Sequence, residues 1–358
     1  MIIHVFRLDL EAYQLNFGIV RSFVSLYKET KSDWIKPFFL FYGCINSEIK
    51  KKYFILLEAL SYSEYKCVET QKELKDFVAS HKIEPYLLHG ISYRGMFSFV
   101  RLNVKNLNWV CWGQGASINY RNWKSIIFTP FKRWIYHHFQ TTIVLLNGDR
   151  LTLMEDFAMK NVIVLPYYAE SCERMRDVYE QLRNLKYDKD KPVIYLGNST
   201  NCIDSYFELL NTLSRFVGKI ELHCMLQYGS TTSQKKLEDL ISYGNCLFGN
   251  DFYPDVNYMD ERTYLQYMNK CDVYICGRKN QSGLGAIHTA LMLGKKIYIT
   301  GKNFDHIISK SYRVFELSSL DDTFTLPLSD EDRILNYNLQ FSQQETIRSA
   351  WVEYLSTL

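Results

Sequence analysis

Tyr274-Ile275-Cys276-Gly277-Arg278-Lys279-Asn280-Gln281-Ser282-Gly283-Leu284-Gly285-Ala286-Ile287-His288-Thr289-Ala290-Leu291 is the stretch whose reading decides the fold. It begins in a short buried strand, Val273–Cys276, passes through a polar turn with two glycines, and continues as an apolar helix, Leu284–Leu293. A strand that turns into a helix in this way leaves first-turn N–H groups pointing outward, where the helix dipole adds partial positive charge. Arg278 and Lys279 bring two full positive charges to the same rim. Arg278, Gln281, Gly283 and Gly285 are therefore candidate contacts to a diphosphate. The same residues also serve a plain strand–helix corner, and a Gly-x-Gly pair does not by itself choose between the two.

Around this stretch the chain alternates short apolar runs with longer amphipathic ones, the pattern of βαβ units and parallel sheets. The first half offers strands at Ile2–Phe6, Pro37–Tyr42, Tyr53–Leu57, Tyr86–His89, Leu107–Trp112, Ile143–Leu146 and Val162–Leu165. Helices are expected at Gln14–Tyr27, Gln71–Ser80, Ser92–Arg101 and Arg150–Met159. A charged helix (Cys172–Leu185) and the polar run Lys186–Pro192 follow, and the alternation restarts at Val193–Leu196. The resulting expectation is two βα domains, 1–170 and 193–340, joined by a connecting helix and linker at 171–192 and closed by a helix at 341–358. Ligands of such domains bind at the carboxyl ends of the strands.

A chain of 358 residues, 47% hydrophobic and 15% aromatic, is long enough for two cores and excludes a disordered protein. Its net charge of +3 argues against nucleic acid as a partner, so an anionic ligand has to be met by a local patch. Nine cysteines without a close C-x-x-C pair read as buried thiols in a reducing compartment rather than a zinc site. Met1–Asp9 reads as a first strand instead of a signal peptide, and no apolar run reaches the roughly 20 residues of a membrane span. A cytoplasmic location is the corresponding expectation.

Other strand ends carry candidate chemistry. Gly197-Asn198-Ser199 follows the first strand of the second half, and its amides and hydroxyls fit either helix capping or a second grip on the diphosphate. Gln227-Tyr228 follows another strand and offers an aromatic face to a base or sugar. Glu261, at a helix start, offers a carboxylate to sugar or ribose hydroxyls, although first-turn acids also simply complement the dipole. In the first half, His89 stands at a strand tip as a candidate base or hydroxyl-orienting group. Trp112-Gly113 ends the next strand, with the indole either stacked on a sugar or packed in the core. Between residues 121 and 139, basic side chains (Arg121, Lys124, Lys132, Arg133) interleave with Trp123, Phe128, Phe131, Trp134 and Phe139. That mixture suits an anionic bilayer surface, with Pro130 dividing it into two short helices; a packed helix pair with a solvated basic face is a second reading, and single-stranded nucleic acid a third that the small net charge disfavours.

The order His89-Gly90, Trp112-Gly113, Gly197-Asn198-Ser199, Arg278 and Gly283-Leu284-Gly285 resembles the TDP-N-acetylfucosamine:lipid II N-acetylfucosaminyltransferase family. Ile3-His4-Val5 and the Tyr264…Cys271-Asp272 helix–strand fit it as well. The resemblance implies an α/β GT-B glycosyltransferase, two Rossmann-like domains facing each other across a cleft, needing neither metal nor cofactor. It further implies a peripheral protein on the cytoplasmic face of the inner membrane. Its reaction would move an N-acetylated amino-dideoxyhexose from a TDP-sugar donor to an undecaprenyl-diphosphate-linked acceptor, as in enterobacterial common antigen synthesis. Arg278 and the glycine turns would then stabilise the departing nucleotide, with His89 serving the acceptor hydroxyl.

Rival readings are a GT-B enzyme with another nucleotide sugar, for O-antigen or capsule, an epimerase on the same scaffold, or a non-catalytic glycosyltransferase-like scaffold. A dehydrogenase is disfavoured because no compact Gly-x-Gly-x-x-Gly follows the first strand.

Overall fold

A computed structural model describes residues 1–7, 13–29, 37–43, 47–62, 64–113, 116, 118, 123–197, 199–200, 203–227, 233–257 and 259–358; for 13–15, 29, 49 and 124 only the backbone is described. The chain divides into two compact units, Met1–Cys172 with Gln344–Leu358, and Glu173–Gln343.

The first unit contains β1 (Ile2–Arg7), α1 (Tyr13–Glu29), β2 (Pro37–Tyr42), α2 (Ser47–Ala59), β3 (Tyr65–Val68), α3 (Gln71–Ser80), β4 (Tyr86–His89) and α4 (Tyr93–Arg101). It continues with β5 (Leu107–Cys111), α5 (Trp123–Ile127), α6 (Thr129–Tyr136), β6 (Thr141–Val144), α7 (Asn147–Phe157) and β7 (Val162–Val164), and α8 (Glu170–Arg174) crosses into the second unit. The strands form one parallel sheet in the order β3-β2-β1-β4-β5-β6-β7. Helices cover both faces of such a sheet, which explains why β1, β4 and β5 are mostly apolar and buried nearly end to end.

The second unit contains α9 (Arg176–Arg183), β8 (Val193–Leu196), α10 (Ile203–Leu213), β9 (Glu221–Met225), α11 (Gln234–Phe248), β10 (Phe252–Asp255), α12 (Glu261–Lys270) and β11 (Val273–Cys276). After it come α13 (Leu284–Met292), β12 (Lys296–Ile299), α14 (Gly301–Ser309), β13 (Phe315–Glu316) and α15 (Asp330–Ser356), whose last turns belong to the first unit. Its parallel sheet runs β10-β9-β8-β11-β12-β13. In both sheets the strand order reverses beside the first strand, between β1 and β4 and between β8 and β11.

Two sequence expectations need correction. Tyr53–Leu57 is not a strand but the middle of α2: Tyr53, Leu56 and Leu57 are buried at helical spacing, while Ile55 is 55% exposed. The strand at that edge is β3, too short and too exposed to register as an apolar run. The run at 186–192 is not a free linker either, because Lys189 pairs with Asp272 at 2.8 Å and Lys191 with Asp251 at 2.6 Å inside the second unit. No helix among the described residues is long and apolar enough to cross a membrane.

The closing turns of α15 are built into the first unit through Trp351. Its ring is buried against Phe23 and Tyr167, and its indole N–H donates to Pro166 O at 2.7 Å. Trp351→Ala should therefore lower the unfolding free energy by about 3–5 kcal/mol, measured by urea denaturation. A loss below about 1 kcal/mol would show that this helix is not part of the core.

Candidate functional site

In an open parallel sheet, the loops after two strands at a topological switch point part to opposite faces and leave a crevice beyond the strand ends. In the second unit this point lies between β8 and β11, so the residues after Leu196 and after Cys276 emerge side by side. The Gly197 N–H donates to Ile275 O at 2.7 Å and ties the two exits together.

The β11 exit carries the positive end of the site. Arg278 is half-buried two residues past the strand, and Gly283 (φ +67°) starts α13. The helix's own hydrogen-bond ladder begins with Ile287 N–H donating to Gly283 O at 2.9 Å. The N–H groups of Leu284, Gly285 and Ala286 thus lie ahead of that ladder, as in any first turn. A Cβ at Gly285 would meet no atom of the described residues within 4 Å. Gln281 contributes a buried carbonyl oxygen without a hydrogen-bond partner among the described residues.

Asn303 holds this loop in place. It is fully buried, its Nδ2 donates to Ser282 O at 2.7 Å, and Lys302 N–H donates to Lys279 O at 2.9 Å. From behind, His288 Nδ1 donates to Gln340 Oε1 at 2.9 Å and fixes α13 on α15. Neither Asn303 nor α14 was anticipated; the signal was the second strand-then-glycine turn, Thr300-Gly301.

The β8 exit differs from the expectation. Gly197 sits at φ +63°, and the ring of Tyr206 fills the space where a side chain would stand. The Tyr206 hydroxyl accepts from Ser199 N–H at 3.1 Å and shares its own proton between Ser199 O (3.0 Å) and Met225 O (3.1 Å). The amides of Gly197 and Ser199 are thus consumed inside the protein and cannot also grip a diphosphate, as the sequence had suggested. Asn198 and Tyr228 lie outside the described residues.

Further along the same sheet end, Gln227 is half-buried with its amide 3.9 Å from Met259 Sδ. Glu261 accepts from Arg174 Nη2 at 2.7 Å, while its neighbour Asp260 caps α12 by accepting from Thr263 N–H at 3.0 Å. Beneath these loops, His223 bridges Asp255 Oδ2 (2.9 Å) and Glu221 Oε1 (2.8 Å), and Tyr267 donates to the same Asp255 oxygen. Burial alone would lower the imidazole pKa, but the two carboxylates reverse that and raise it.

In the first unit the switch point between β1 and β4 holds a buried pair of histidines. His4 Nδ1 lies 3.0 Å from His89 Nε2, His4 Nε2 lies 2.9 Å from the Tyr27 hydroxyl, and His89 Nδ1 lies 2.8 Å from the Tyr167 hydroxyl. Trp112 Nε1 donates to Tyr167 Oη at 2.9 Å. Both ring nitrogens of His89 are engaged within the protein and the ring is buried, stacked on Phe6. As a direct base for an acceptor hydroxyl His89 therefore fails on geometry, because it has no lone pair to offer. Trp112 is half-buried, with its ring over Gly90, and Gly113 follows at φ +80°.

The basic–aromatic segment forms α5 and α6, separated by Phe128, with Pro130 in the first turn of α6. Trp123 (66%), Ile127 (61%) and Trp134 (48%) are exposed, as are Ile126, Phe128 and Phe131. Lys132 stands 5.3 Å from the Tyr93 ring, Arg133 donates to Asp156 O at 2.7 Å, and the side chain of Lys124 lies outside the described residues. Among the described residues no group of three or more histidine, cysteine, aspartate or glutamate side chains could hold a metal ion.

No family model and no curated protein matches the sequence. Solved structures do. Anabaena Alr3699/HepE, solved in complex with UDP and glucose, superposes with TM-score 0.68 at 13% identity, over 100% of this chain and 99% of its own. A glycosyltransferase from Rickettsia africae ESF-5 gives 0.66 at 10% identity, over 99% and 97%. Sucrose-phosphate synthase from Thermosynechococcus elongatus gives 0.59 at 12%, over 97% and 94%. The chain thus has the α/β fold of GT-B glycosyltransferases.

Burial holds His4 at about 3 and pulls His89 below its ordinary value, His89 further because His4 is its neighbour. The unfolded chain takes up these protons near the ordinary 6.5, whereas the fold refuses them. The stability the pair contributes is therefore complete above that pH and is lost as pH falls toward 3. Urea unfolding at pH 7.5 and pH 5 should show the drop. A His4→Asn/His89→Gln variant should show a smaller one, and an equal drop in both would refute the assignment.

Proposed function

We propose that the chain is a glycosyltransferase that takes a sugar from a nucleoside-diphosphate donor. What carries this reading is the β11 exit, with Arg278 and the first turn of α13 together at the switch point of a fold whose relative HepE was solved with UDP and glucose. When the anomeric C–O bond breaks, the electron pair leaves with the diphosphate, and the acceptor oxygen bonds to the anomeric carbon and gives up its proton. The growing negative charge on the leaving group is stabilised by a guanidinium and oriented amides, which need no reorganisation at the moment of reaction.

For the finer chemistry we carry forward the resemblance in the sequence: a TDP-linked N-acetylated amino-dideoxyhexose as donor and an undecaprenyl-diphosphate-linked saccharide as acceptor. The exposed aromatics of α5 and α6 support a lipid-linked acceptor. Six large apolar side chains on one short segment, beside Lys132 and Arg133, suit the cytoplasmic surface of an anionic inner membrane.

Two measurements test this. In a panel of TDP-, UDP- and GDP-sugars assayed against a lipid-diphosphate saccharide, Arg278→Ala should cut turnover by about a hundredfold or more with the fold intact. Near-normal turnover would remove Arg278 from the reaction. Separately, Trp123→Ser with Ile127→Ser should reduce co-sedimentation with vesicles containing anionic lipid by about tenfold or more, since each buried apolar side chain is worth about 1.5–3 kcal/mol. Unchanged sedimentation would remove the membrane from the proposal.

A further inference from the structure

We propose that His89 is a positioning residue: with His4 and Tyr167 it forms a buried relay that holds the Trp112 indole over Gly90 as a flat face for the acceptor saccharide. The inference rests on the glycosyltransferase reading and deepens it at the acceptor side.

The relay is fixed in direction at its Trp112 end. An indole N–H can only donate, so Trp112 donates to Tyr167 Oη. The remaining three contacts are satisfied with one proton per imidazole, either from the Tyr167 hydroxyl through His89 and His4 to the Tyr27 hydroxyl or in the reverse sense. Both imidazoles are neutral in either arrangement, and neither has a nitrogen left for substrate. A further proton on either ring would set a donor against a donor, which leaves the pair unsuited to accept one during turnover.

What the relay secures is the orientation of Trp112. Position 90 has φ +58°, and any side chain there would run into the indole, so the ring lies directly on the backbone of the β4 exit. Its one polar side-chain atom is used by Tyr167, and the residue as a whole is half-buried. A flat hydrocarbon face beside the carboxyl ends of β4 and β5 suits the C–H face of a pyranose. Tyr167 is itself clamped, stacked on Trp351 at 6.0 Å and 5° and edge-on to Phe23 at 6.3 Å. It can therefore hold the indole without swinging away.

Tyr167→Phe removes one oxygen from the relay and leaves the ring packing in place. It should raise the acceptor KM about fivefold, the worth of one hydrogen bond, with donor KM and the pH profile of kcat/KM unmoved. Trp112 emission, isolated as the difference from Trp112→Phe, should shift to the red and become more readily quenched by acrylamide. His89→Gln should do the same. A Tyr167→Phe protein with wild-type KM and emission would overturn the relay. Loss of the acidic limb in His89→Gln, with turnover down more than a hundredfold and Tyr167→Phe unaffected, would make His89 the base after all. If the wild type turns over no donor in the panel, the glycosyltransferase reading fails. The emission arm then still decides the relay, with saccharide quenching of Trp112 read by titrating a lipid-diphosphate disaccharide into the wild type and Tyr167→Phe.

Discussion

The reversal of strand order inside each parallel sheet is the constraint on which everything else depends. Because β8 and β11 are hydrogen-bonded neighbours whose following helices belong to a sheet covered on both faces, their loops must separate. Nothing in a regular βαβ repeat can fill the resulting gap, so it remains as a crevice at the strand ends. The Gly197–Ile275 hydrogen bond keeps the two exits in register. Preorganised donors are what a leaving diphosphate requires.

The two exits divide the work unequally. At the β8 exit, Tyr206 absorbs the available donors and welds the loop to the end of β9. At the β11 exit, Asn303 and Lys302 occupy acceptors of the loop, the carbonyls of Ser282 and Lys279. Asn303 Oδ1 also accepts from Ser282 N–H at 3.4 Å, so the loop is pinned through a donor as well as through its acceptors. The first-turn amides of α13, which lie ahead of the helix's own ladder, are the donors the proposed function assigns to a diphosphate.

The sequence was most legible where one residue run decides its own structure. Val273–Cys276, Tyr86–His89 and Pro37–Tyr42 are buried on both faces, so their apolar runs admit one reading. Legibility failed at edges and in long-range contacts. β10 contains Pro254, which an edge strand tolerates but a central strand would not, and this hid it. Arg278 and the Gly283–Gly285 turn could be named as candidates because they lie within one stretch. The occupation of Ser199 by Tyr206, and of His89 by His4 and Tyr167, joins residues 7, 85 and 78 positions apart, and no local pattern records it.

The two units solve one packing problem in contrasting ways. Each has a strand at its switch point that ends on a glycine with φ near +60°, and each sets an aromatic ring where the missing side chain would stand. In the second unit that ring is Tyr206, wholly buried, with its hydroxyl committed to three backbone groups, so the crevice floor there is structural. In the first unit it is Trp112, half-buried, laid on Gly90 and held through its N–H by Tyr167. A floor that must stay shut under a charged leaving group calls for the first arrangement. A surface that receives and releases a neutral sugar calls for the second, and a buried chain of neutral side chains can hold such a surface rigid without placing charge beneath it.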